Sequence, residues 1–477
     1  MKENIRFGTD GWRGIIAKDF TFSGVGSCAE GIAKYHISKN LHNQPIVIGY
    51  DTRFSSKEFA EHAANIIARN NIKVLLCERA TPTPVVSNAV VEFNASGGII
   101  ITASHNPYNW NGFKYRTSYG GSPDNNEIAI IEDFINSVSL PNNFKEHSEI
   151  NFNKQHQIQL INPFTPYIKK INTLLKIEDI KDSNINITVD SMHGAGSGYI
   201  KKILKGGRIK ISEIRSIQNP NFPNMHNPEP ISHNLIPLVN SISKSKASVG
   251  LAFDGDADRL GLIDSNNNYV TTLQTFALLA YYLLEIRQFR GPIVKSLTTS
   301  NMMWKLGEKY GVKVIETPVG FKNIVPEMIK HTALIGGEES GGFAFKGHIP
   351  ERDGIISGLF ILDLMIKTKK SIPELIENLF KIVGPHYFNR WDIPISNKDQ
   401  SKTIEIAKNL NPKRLIGKNV IRIDHLDGIR FTLEDNSWVA MRFSGTEPLI
   451  RLYSEATNHN DVTKLLRECA TLLKITN

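Results

Sequence analysis

At 477 residues, with 40% hydrophobic and 22% charged residues, the chain exceeds what one hydrophobic core organises and has an ordinary globular composition. Three or four domains are therefore expected. The net charge of +9 would suit a polyanion, but the lysines are scattered among asparagines and isoleucines instead of clustered. We expect no nucleic-acid partner, although a positive field attracts small phosphorylated molecules.

The sequence predicts a cytoplasmic protein without a membrane partner. Residues 1–6 run into a polar, glycine-rich segment without the apolar stretch of a secretory signal. The longest apolar run, near 276–286, is too short to span a bilayer. Three widely spaced cysteines, Cys28, Cys77 and Cys469, are typical of free thiols in a reducing cytosol.

The first motif is FGTDGWRG at residues 7–14. Three glycines around Arg13 suit a loop whose backbone approaches another group closely, and a structural glycine turn explains the spacing equally well. From residue 46 the pattern is a strand (46–50), a helix (55–70) and a strand (74–76). This alternation predicts a parallel sheet with right-handed crossovers.

The second motif is GGIIITASHNP at residues 97–107, followed by NGFK, which ends at Lys114. Three isoleucines behind a glycine pair predict a buried strand, and the change to polar residues puts Ser104 on a turn at its carboxyl end. Open α/β sheets keep their chemistry at that edge. Taken alone, Ser104 is better explained as a cap of the next helix.

A polar, irregular stretch at 140–159 predicts a domain boundary. A second α/β pattern follows, with a helix from 164 to 175 and a strand at 185–189 that leads to His193, which we interpret as structural. Residues 219–230 contain four prolines and must form a loop, and the strand 249–253 comes next.

That strand leads into DGDADR at residues 254–259. The carboxylates of Asp254, Asp256 and Asp258 repel one another unless a cation lies among them, and an all-oxygen set suits a hard divalent ion such as Mg²⁺. An EF-hand is excluded, because Arg259 and Ser265 stand where that loop needs glycine and glutamate. A solvated acidic turn is the alternative.

A third α/β pattern has predicted helices at 273–286 and 301–310 and strands at 293–295 and 312–315. Its loops carry TPVGFK at 317–322 and GGEESGG at 336–342. Two adjacent glutamates between glycine pairs can accept hydrogen bonds from sugar hydroxyls, although an exposed turn explains them equally well.

After about residue 385 the pattern becomes a smaller α+β unit, whose motif is MRFSGTEP at 441–448. Hydroxyls of Ser444 and Thr446, the backbone around Gly445, and the flanking Arg442 and Arg451 would form an anion-binding cradle. An ordinary hairpin turn is the alternative interpretation.

These strings, in this order, resemble the motifs of the α-D-phosphohexomutases, the family of phosphoglucomutase, phosphomannomutase and phosphoglucosamine mutase. The resemblance spans nearly the whole chain and implies three topologically similar α/β domains plus a smaller C-terminal α+β domain around a central cleft. We expect a phosphoserine-loop domain at 1–150, a metal-loop domain at 151–265, a sugar-loop domain at 266–385 and a phosphate-binding domain at 386–477.

The resemblance also implies roles for individual residues. Ser104 would carry a phosphoryl group, and one of its oxygens would join Asp254, Asp256 and Asp258 around Mg²⁺. The predicted catalytic set is Ser104, His105, Lys114 and Arg259. Lys114 is our first choice for general acid or base, because a lysine among cations would have a lowered pKa.

The remaining motifs are predicted to bind substrate. Arg13 would lie in the cleft, and Glu338 and Ser340 would contact sugar hydroxyls. The distal phosphate would be held by Arg442, Ser444, Gly445, Thr446 and Arg451. Many relatives that act on mannose or glucosamine phosphates have histidine where this chain has Gly342, and Lys322 or His348 is the predicted substitute.

The implied reaction interconverts glucose 1-phosphate and glucose 6-phosphate through hexose 1,6-bisphosphate, which also serves as activator. Glucose is favoured because Trp12 and Glu339 stand where phosphoglucosamine mutases usually have isoleucine and glutamine. Alternatives are a phosphomannomutase, a dual-specificity enzyme or, less favoured, a phosphoglucosamine mutase. Two other classes remain, an aspartyl phosphatase acting through Asp254 and a non-catalytic sugar-phosphate sensor. A monomer or weak homodimer is expected.

Overall fold

The computed structural model describes residues 4–8, 10–138, 157–395, 397–443 and 449–475. Four β-sheets follow one another along this part of the chain, of six, five, four and six strands. The first three sheets are mixed and flanked by helices, whereas the fourth is antiparallel. The predicted fold class is confirmed.

The first unit has strand order β1-β5-β4-β2-β3-β6, with β2, β3, β4 and β6 parallel. Its elements are β1 (Trp12–Ile15), α1 (Phe22–Ser38), β2 (Ile46–Tyr50), α2 (Ser56–Arg69), β3 (Val74–Cys77), α3 (Thr83–Glu92), β4 (Gly97–Ile101), β5 (Trp110–Thr117), α4 (Asn125–Ser137) and β6 (Ile158–Ile161). Strand β6 pairs with β3 of the first sheet, although it follows the predicted domain limit at residue 150. The exact domain limits therefore stay a prediction.

The second unit has strand order β11-β10-β9-β7-β8, with β7 parallel to β8 and β9. Its elements are α5 (Phe164–Leu174), α6 (Ile177–Lys181), β7 (Asn186–Asp190), α7 (Tyr199–Ile203), β8 (Lys210–Ile214), α8 (Ile236–Ser245), β9 (Val249–Phe253), β10 (Leu260–Asp264) and β11 (Tyr269–Val270). The proline-rich segment 219–230 is a loop, as predicted.

The third unit has strand order β13-β12-β14-β15. Its elements are α9 (Thr272–Tyr281), β12 (Ile293–Ser296), α10 (Met302–Tyr310), β13 (Val314–Thr317), α11 (Phe321–His331), β14 (Ile335–Gly337), β15 (Phe343–Phe345), α12 (Gly354–Thr368) and α13 (Ile372–Val383). The helix predicted to reach residue 286 continues past α9 as a π-helical turn over Tyr282–Ile286. Strand β13 starts two residues later than predicted, because the N–H of Val312 still donates to the carbonyl of Gly307 in α10.

The fourth unit packs helices against an antiparallel sheet of order β16-β21-β20-β19-β18-β17. Its elements are β16 (Tyr387–Pro394), α14 (Asn397–Lys408), β17 (Arg414–Leu415), β18 (Lys418–Asp424), β19 (Ile429–Leu433), β20 (Trp438–Phe443), β21 (Leu449–Ala456) and α15 (His459–Leu472).

One connection recurs in the three α/β units. In each, a buried parallel strand turns into an antiparallel partner, in the pairs β4–β5, β9–β10 and β14–β15. The turns between these pairs hold Ser104, the Asp254–Asp258 loop and Glu338, respectively. Three equivalent positions in the fold therefore supply the three predicted chemical loops.

The apolar cores do not follow the four sheets one by one. The first and fourth units each have their own principal core, whereas buried residues of the second and third units form one continuous cluster. These two units are therefore expected to move together more than the others. Among the described residues, no helix is both long and apolar enough to cross a bilayer.

Candidate functional site

Ser104 lies on the turn after β4, at the predicted strand end. It is 1% exposed and has a left-handed backbone with φ of 52°, a conformation that non-glycine residues seldom adopt outside turns and functional sites. Its Oγ donates to Oδ2 of Asp254 at 3.0 Å and lies 3.4 Å from Nδ1 of His105. The hydroxyl is therefore directed at the aspartate loop.

The Ser104 turn is fixed by a residue that the sequence interpretation did not single out. The buried guanidinium of Arg53 donates to the carbonyls of Ser104 (2.7 Å) and Asn106 (2.6 Å), and to two further loop carbonyls. Asp51 anchors this arginine at 3.1 Å and accepts from Thr102 at 2.6 Å. The position of Asp51 and Arg53 in the sequence could have indicated this role, because they directly follow β2, the parallel neighbour of β4.

The three aspartates of the second loop come together. One carboxylate oxygen from each of Asp254, Asp256 and Asp258 lies within 4.8 Å of the others, and all three residues are fully buried. A Cβ at Gly255 would lie 2.5 Å from the carbonyl oxygen of Ser104, so only glycine allows the two loops this close approach.

The cluster suits a cation. Oδ1 of Asp256 and Oδ1 of Asp258 are buried without a hydrogen-bond partner among the described residues. Burial and the carboxylates of Asp258 and Asp256 raise the pKa of Asp254 well above its ordinary value. A divalent ion would remove this repulsion and use the unpaired oxygens, so the donor set fits a hard metal such as Mg²⁺.

Arg259 borders the same cluster. Its backbone N–H donates to Oδ1 of Asp254 at 3.1 Å, and its guanidinium donates to Glu229 at 2.9 Å. Burial and the positive charges of Arg259 and Arg13 hold the pKa of His105 well below its ordinary value, so this imidazole is neutral. Arg13 itself donates to the side chain of Asn106 at 2.5 Å, next to the Ser104 turn.

Lys114 lies on β5 and is fully buried, but its surroundings differ from those expected. Its Nζ is 2.8 Å from Asp10, 2.9 Å from Asp256 and 3.6 Å from Asp258. Burial alone would lower the pKa of Lys114, and these carboxylates raise it above its ordinary value instead. The expected lowered pKa is therefore wrong, because the nearby carboxylates outweigh both burial and the positive charge of Arg352.

Arg352 also joins this network without having been predicted. Its Nη2 lies 2.7 Å from Asp10 and 2.9 Å from Asp258, so it links the third unit to the first and second. A Cβ at Gly342 would meet three atoms of Arg352, the nearest at 2.2 Å. The space beside Gly342 is thus filled by Arg352. Its position in the loop that also contains His348 could have indicated from the sequence that Arg352 belongs to the site.

The two residues proposed to replace a histidine at Gly342 have different surroundings. The side chain of His348 is 0% exposed, and its Nε2 lies 2.8 Å from Asp353, which Tyr167 also contacts. Lys322 is half-buried in the first turn of α11, and no carboxylate of the described residues lies within 4 Å of it. The nearest atoms to a Cβ at Gly342 belong to Arg352, and a substitute role for Lys322 or His348 stays a prediction.

The predicted sugar loop follows β14. Oε1 of Glu338 accepts from the N–H of Gly320 at 2.6 Å, and burial raises the pKa of Glu338 to about 7. Oγ of Ser340 is buried and has no hydrogen-bond partner among the described residues. Glu339 accepts from Thr298 at 2.8 Å. Glu338 and Ser340 therefore offer hydrogen-bonding capacity that a hydroxylated ligand can use.

On the fourth unit, Arg442 and Arg451 face each other on β20 and β21. Arg442 contacts Asp427 at 3.0 Å, and Asp427 also accepts from the N–H of Val319 in the third unit at 2.9 Å. Ser444, Gly445 and Thr446 lie outside the described residues. Arg442 and Arg451 would together attract an anion close to this contact between the third and fourth units.

Trp12 contributes packing and not recognition. Its ring stacks on Phe20 at a centroid distance of 4.7 Å, and a Cβ at Gly24 would lie 2.5 Å from its edge. The side chain therefore fills the core of the first unit between β1 and α1. Its identity carries no direct information about the sugar.

Together the described residues provide a buried hydroxyl, a carboxylate cluster for a divalent ion, flanking cations and hydroxyl acceptors. A charged group transferred to or from Ser104 would meet positive charge on several sides in a site shielded from water. This arrangement is suited to phosphoryl transfer.

Sequence comparison with known families agrees with that chemistry. The four domains of the phosphoglucomutase/phosphomannomutase family match in order: alpha/beta/alpha domain I at residues 4–142, domain II at 165–267, domain III at 273–383 and the C-terminal domain at 394–472.

The chain is similar to a phosphoglucomutase/phosphomannomutase of Thermococcus kodakarensis, with 29% identity over 96% of each chain. It is 30% identical to a probable phosphoglucosamine mutase of Methanosphaera stadtmanae over 97% of each chain. Among solved structures, a Thermus thermophilus protein provisionally described as a phosphomannomutase superposes with a TM-score of 0.86 at 32% identity, covering 99% of this chain and 100% of that one. The chain belongs to the phosphoglucomutase/phosphomannomutase family of α-D-phosphohexomutases and is a mutase, an isomerase by reaction class.

Proposed function

We propose that this mutase interconverts glucose 1-phosphate and glucose 6-phosphate through a phosphoserine at Ser104. The bond between phosphorus and Oγ of Ser104 breaks as the free hydroxyl of the bound sugar phosphate takes the phosphoryl group, and the hydroxyl proton ends on Oγ of Ser104, which gives glucose 1,6-bisphosphate. The bisphosphate then reverses its orientation in the site, and its other phosphoryl group is transferred back to Ser104, which leaves the isomeric monophosphate. The supporting observation is the 3.0 Å contact between the Ser104 hydroxyl and the buried aspartate cluster.

The side chains around Ser104 act through charge and position. Asp254, Asp256 and Asp258 would hold Mg²⁺, which supplies positive charge to the transferring phosphoryl group when bound. Arg259 adds a second positive charge beside Asp254. Lys114 lies 2.8 Å from Asp10 and 2.9 Å from Asp256, so we assign it the role of a charge that positions these two carboxylates.

Substrate binding is assigned to the other loops. Glu338 and Ser340 form hydrogen bonds with the sugar hydroxyls. Arg442 and Arg451 bind the phosphate that is not reacting. The C-terminal loop with Ser444, Gly445 and Thr446 completes this second phosphate site in the proposal. Arg13 lies beside the Ser104 turn and faces the reacting phosphate.

Glucose is the proposed sugar because the loop at 336–342 has the sequence GGEESGG, with Glu339 where phosphoglucosamine mutases usually have glutamine. Relatives at similar identity are named for glucose, mannose or glucosamine phosphates. A phosphomannomutase or a dual-specificity enzyme is the second candidate, since glucose and mannose differ in the orientation of one hydroxyl only.

A side-by-side coupled assay tests the sugar. Glucose 1-phosphate, mannose 1-phosphate and glucosamine 1-phosphate are compared with Mg²⁺ and the matching bisphosphate present. One hydrogen-bonding group left unpaired by the wrong epimer costs about 1 to 3 kcal/mol, so kcat/KM should favour glucose over mannose by about tenfold to a hundredfold. Equal values for the two sugars would indicate a dual-specificity enzyme, and release of inorganic phosphate in step with turnover would indicate a phosphatase.

A further inference from the structure

A second cavity, of about 500 Å³, lies where the second and third units share their core. It shares no residue with the Ser104 and Asp254 site. One wall is the end of α5, with Leu174, and the others come from the π-helical turn, the β14–β15 hairpin and α12. A cavity of this volume is large enough for a small organic molecule.

The inner surface of this cavity is apolar. Leu283, Leu334, Phe345 and Phe360 line it and are only 2–3% exposed, so they form a preformed apolar pocket. Phe289 is 44% exposed at the rim. Transfer of an apolar group from water into this cavity would therefore be favourable.

The rim of the cavity is positively charged. Arg287, Arg290 and Lys346 line it, and no carboxylate of the described residues lies within 4 Å of any of them. Buried arginines near the catalytic site are, in contrast, paired with acids, for example Arg116 with Asp10 at 3.0 Å. Three such cations around one apolar pocket form a local excess of positive charge.

Arg287 is also held in place by the protein. Its Nη1 donates to the carbonyl of Leu174 at 3.0 Å and to the hydroxyl of Tyr282 at 2.9 Å, and its guanidinium lies 4.9 Å from the Phe289 ring centroid. The guanidinium also lies 5.7 Å from the Tyr282 ring centroid, whereas Nε and Nη2 donate to no acceptor among the described residues. The remaining N–H groups can donate to an anion without prior rearrangement.

We propose that this cavity binds a small amphipathic anion, with an apolar body among Leu283, Leu334, Phe345 and Phe360 and a carboxylate, sulfonate or phosphate at Arg287, Arg290 and Lys346. The apolar pocket selects against hexose phosphates, which have no apolar body. The site is independent of the proposed mutase reaction. Because its walls come from both the second and third units, ligand binding stabilises their common core.

The probe is 1-anilinonaphthalene-8-sulfonate, whose fluorescence rises in apolar surroundings, and its uncharged control is N-phenyl-1-naphthylamine. The intact protein is titrated well below its melting temperature. The test variant Arg290→Gln/Lys346→Gln is compared with Lys305→Gln/Lys330→Gln, which loses the same charge from exposed helical positions of the third unit.

We expect saturable binding of the sulfonate, weakened about tenfold in the test variant and unchanged in the control, because each exposed charge contributes up to about 1 kcal/mol. Glucose 1,6-bisphosphate should not displace the probe. Equal affinity in the two variants, displacement by the bisphosphate, or equally tight binding of the uncharged analogue would each overturn the proposal. Lys346→Gln alone repeats the test should the double variant have a lowered melting temperature.

Discussion

The side chains around Ser104 and those around Arg442 differ in how deeply the protein buries them. Ser104, Lys114 and Asp254 are at most 1% exposed, and their neighbours come from three separate units of the fold. The side chains of Arg442 and Arg451 are 16% and 28% exposed and lie near the end of β20 and the start of β21, two inner strands of one sheet. The reacting region is therefore enclosed between units, whereas the distal region is partly open to a ligand.

This difference fits the proposed reaction. Each phosphate of the bisphosphate must take the reacting position once in a cycle, so the distal contacts have to be made and released. The reacting groups, in contrast, must keep their geometry, since a small displacement costs much of the rate. A rigid reacting region and a releasable distal region are therefore expected to respond differently to mutation.

The largest effect should follow Ser104→Ala, which removes the proposed phosphoryl carrier. Mutase activity should fall by about 10,000-fold or more, as for the loss of other catalytic nucleophiles, with little change in thermal stability. A coupled assay measures the activity. Peptide mass spectrometry of the wild type incubated with glucose 1,6-bisphosphate should find phosphate on the peptide that contains Ser104.

Ser137→Ala is the matched control, because Ser137 is exposed on α4 and donates only within that helix. It should keep full activity and leave phosphorylation unchanged. Stable phosphate on Asp254 in place of Ser104 would contradict the assignment and favour an aspartyl phosphotransferase.

Asp256→Asn should give the next largest effect, about 100-fold in kcat, and should weaken binding of Mg²⁺ in parallel. The substitution removes one of three clustered charges while keeping the shape, so its amide can still accept from Thr83 (2.6 Å in the wild type). Isothermal titration with Mg²⁺ measures the affinity, and circular dichroism checks the fold.

Asp182→Asn, at an exposed turn of the second unit, serves as control for this substitution. Wild-type activity of Asp256→Asn at limiting Mg²⁺ would show that the aspartate cluster does not hold the metal. An unfolded variant would instead identify the Lys114–Asp256 pair as a requirement for stability.

Sequence patterns predicted the loops of the reacting region well, because their positions depend on local order. Ser104 follows a buried strand, and alternating aspartates follow another. Arg53 and Arg352 were missed because their roles depend on partners 51 and 342 residues away, namely Ser104 and Asp10. The pKa of Lys114 was predicted in the wrong direction for the same reason, since Asp10 and Asp256 approach it only in the folded chain.

The fold class was predictable because strands and helices alternate with clear apolar periodicity, and the strand at 249–253 was placed correctly. Helix ends were less predictable. The segment after α9 is apolar enough for an α-helix, yet it forms a π-helical turn. The shared core of the second and third units was also invisible in the sequence, because periodicity shows which face is buried but not against which element.

Arg442→Gln tests the distal region and should raise KM more than it lowers kcat. The guanidinium contributes charge-assisted hydrogen bonds to a phosphate that is not reacting, so KM for glucose 1-phosphate should rise by about 30-fold. Steady-state kinetics separates the two parameters. Arg422→Gln, exposed on β18, is the control. A fall in kcat alone would mean that Arg442 acts in the chemical step, and the contrast between the two regions would be lost.

The smallest effect concerns pH and Glu338. Burial raises the pKa of this carboxyl to about 7, so it gains a proton as the pH falls through neutrality and loses part of its capacity to accept a sugar hydroxyl. The ionised fraction drops about tenfold from pH 8 to pH 6, and kcat/KM should fall by about the same factor.

Glu338→Gln should have lower activity at pH 8 and should lack this pH dependence. Glu339→Gln, which changes the neighbouring carboxylate bonded to Thr298, should retain it. Since ionisation of the substrate phosphate is common to all three enzymes, dividing the profiles of wild type and Glu338→Gln isolates the carboxyl. Parallel profiles for these two enzymes would show that Glu338 does not titrate in the recognition step.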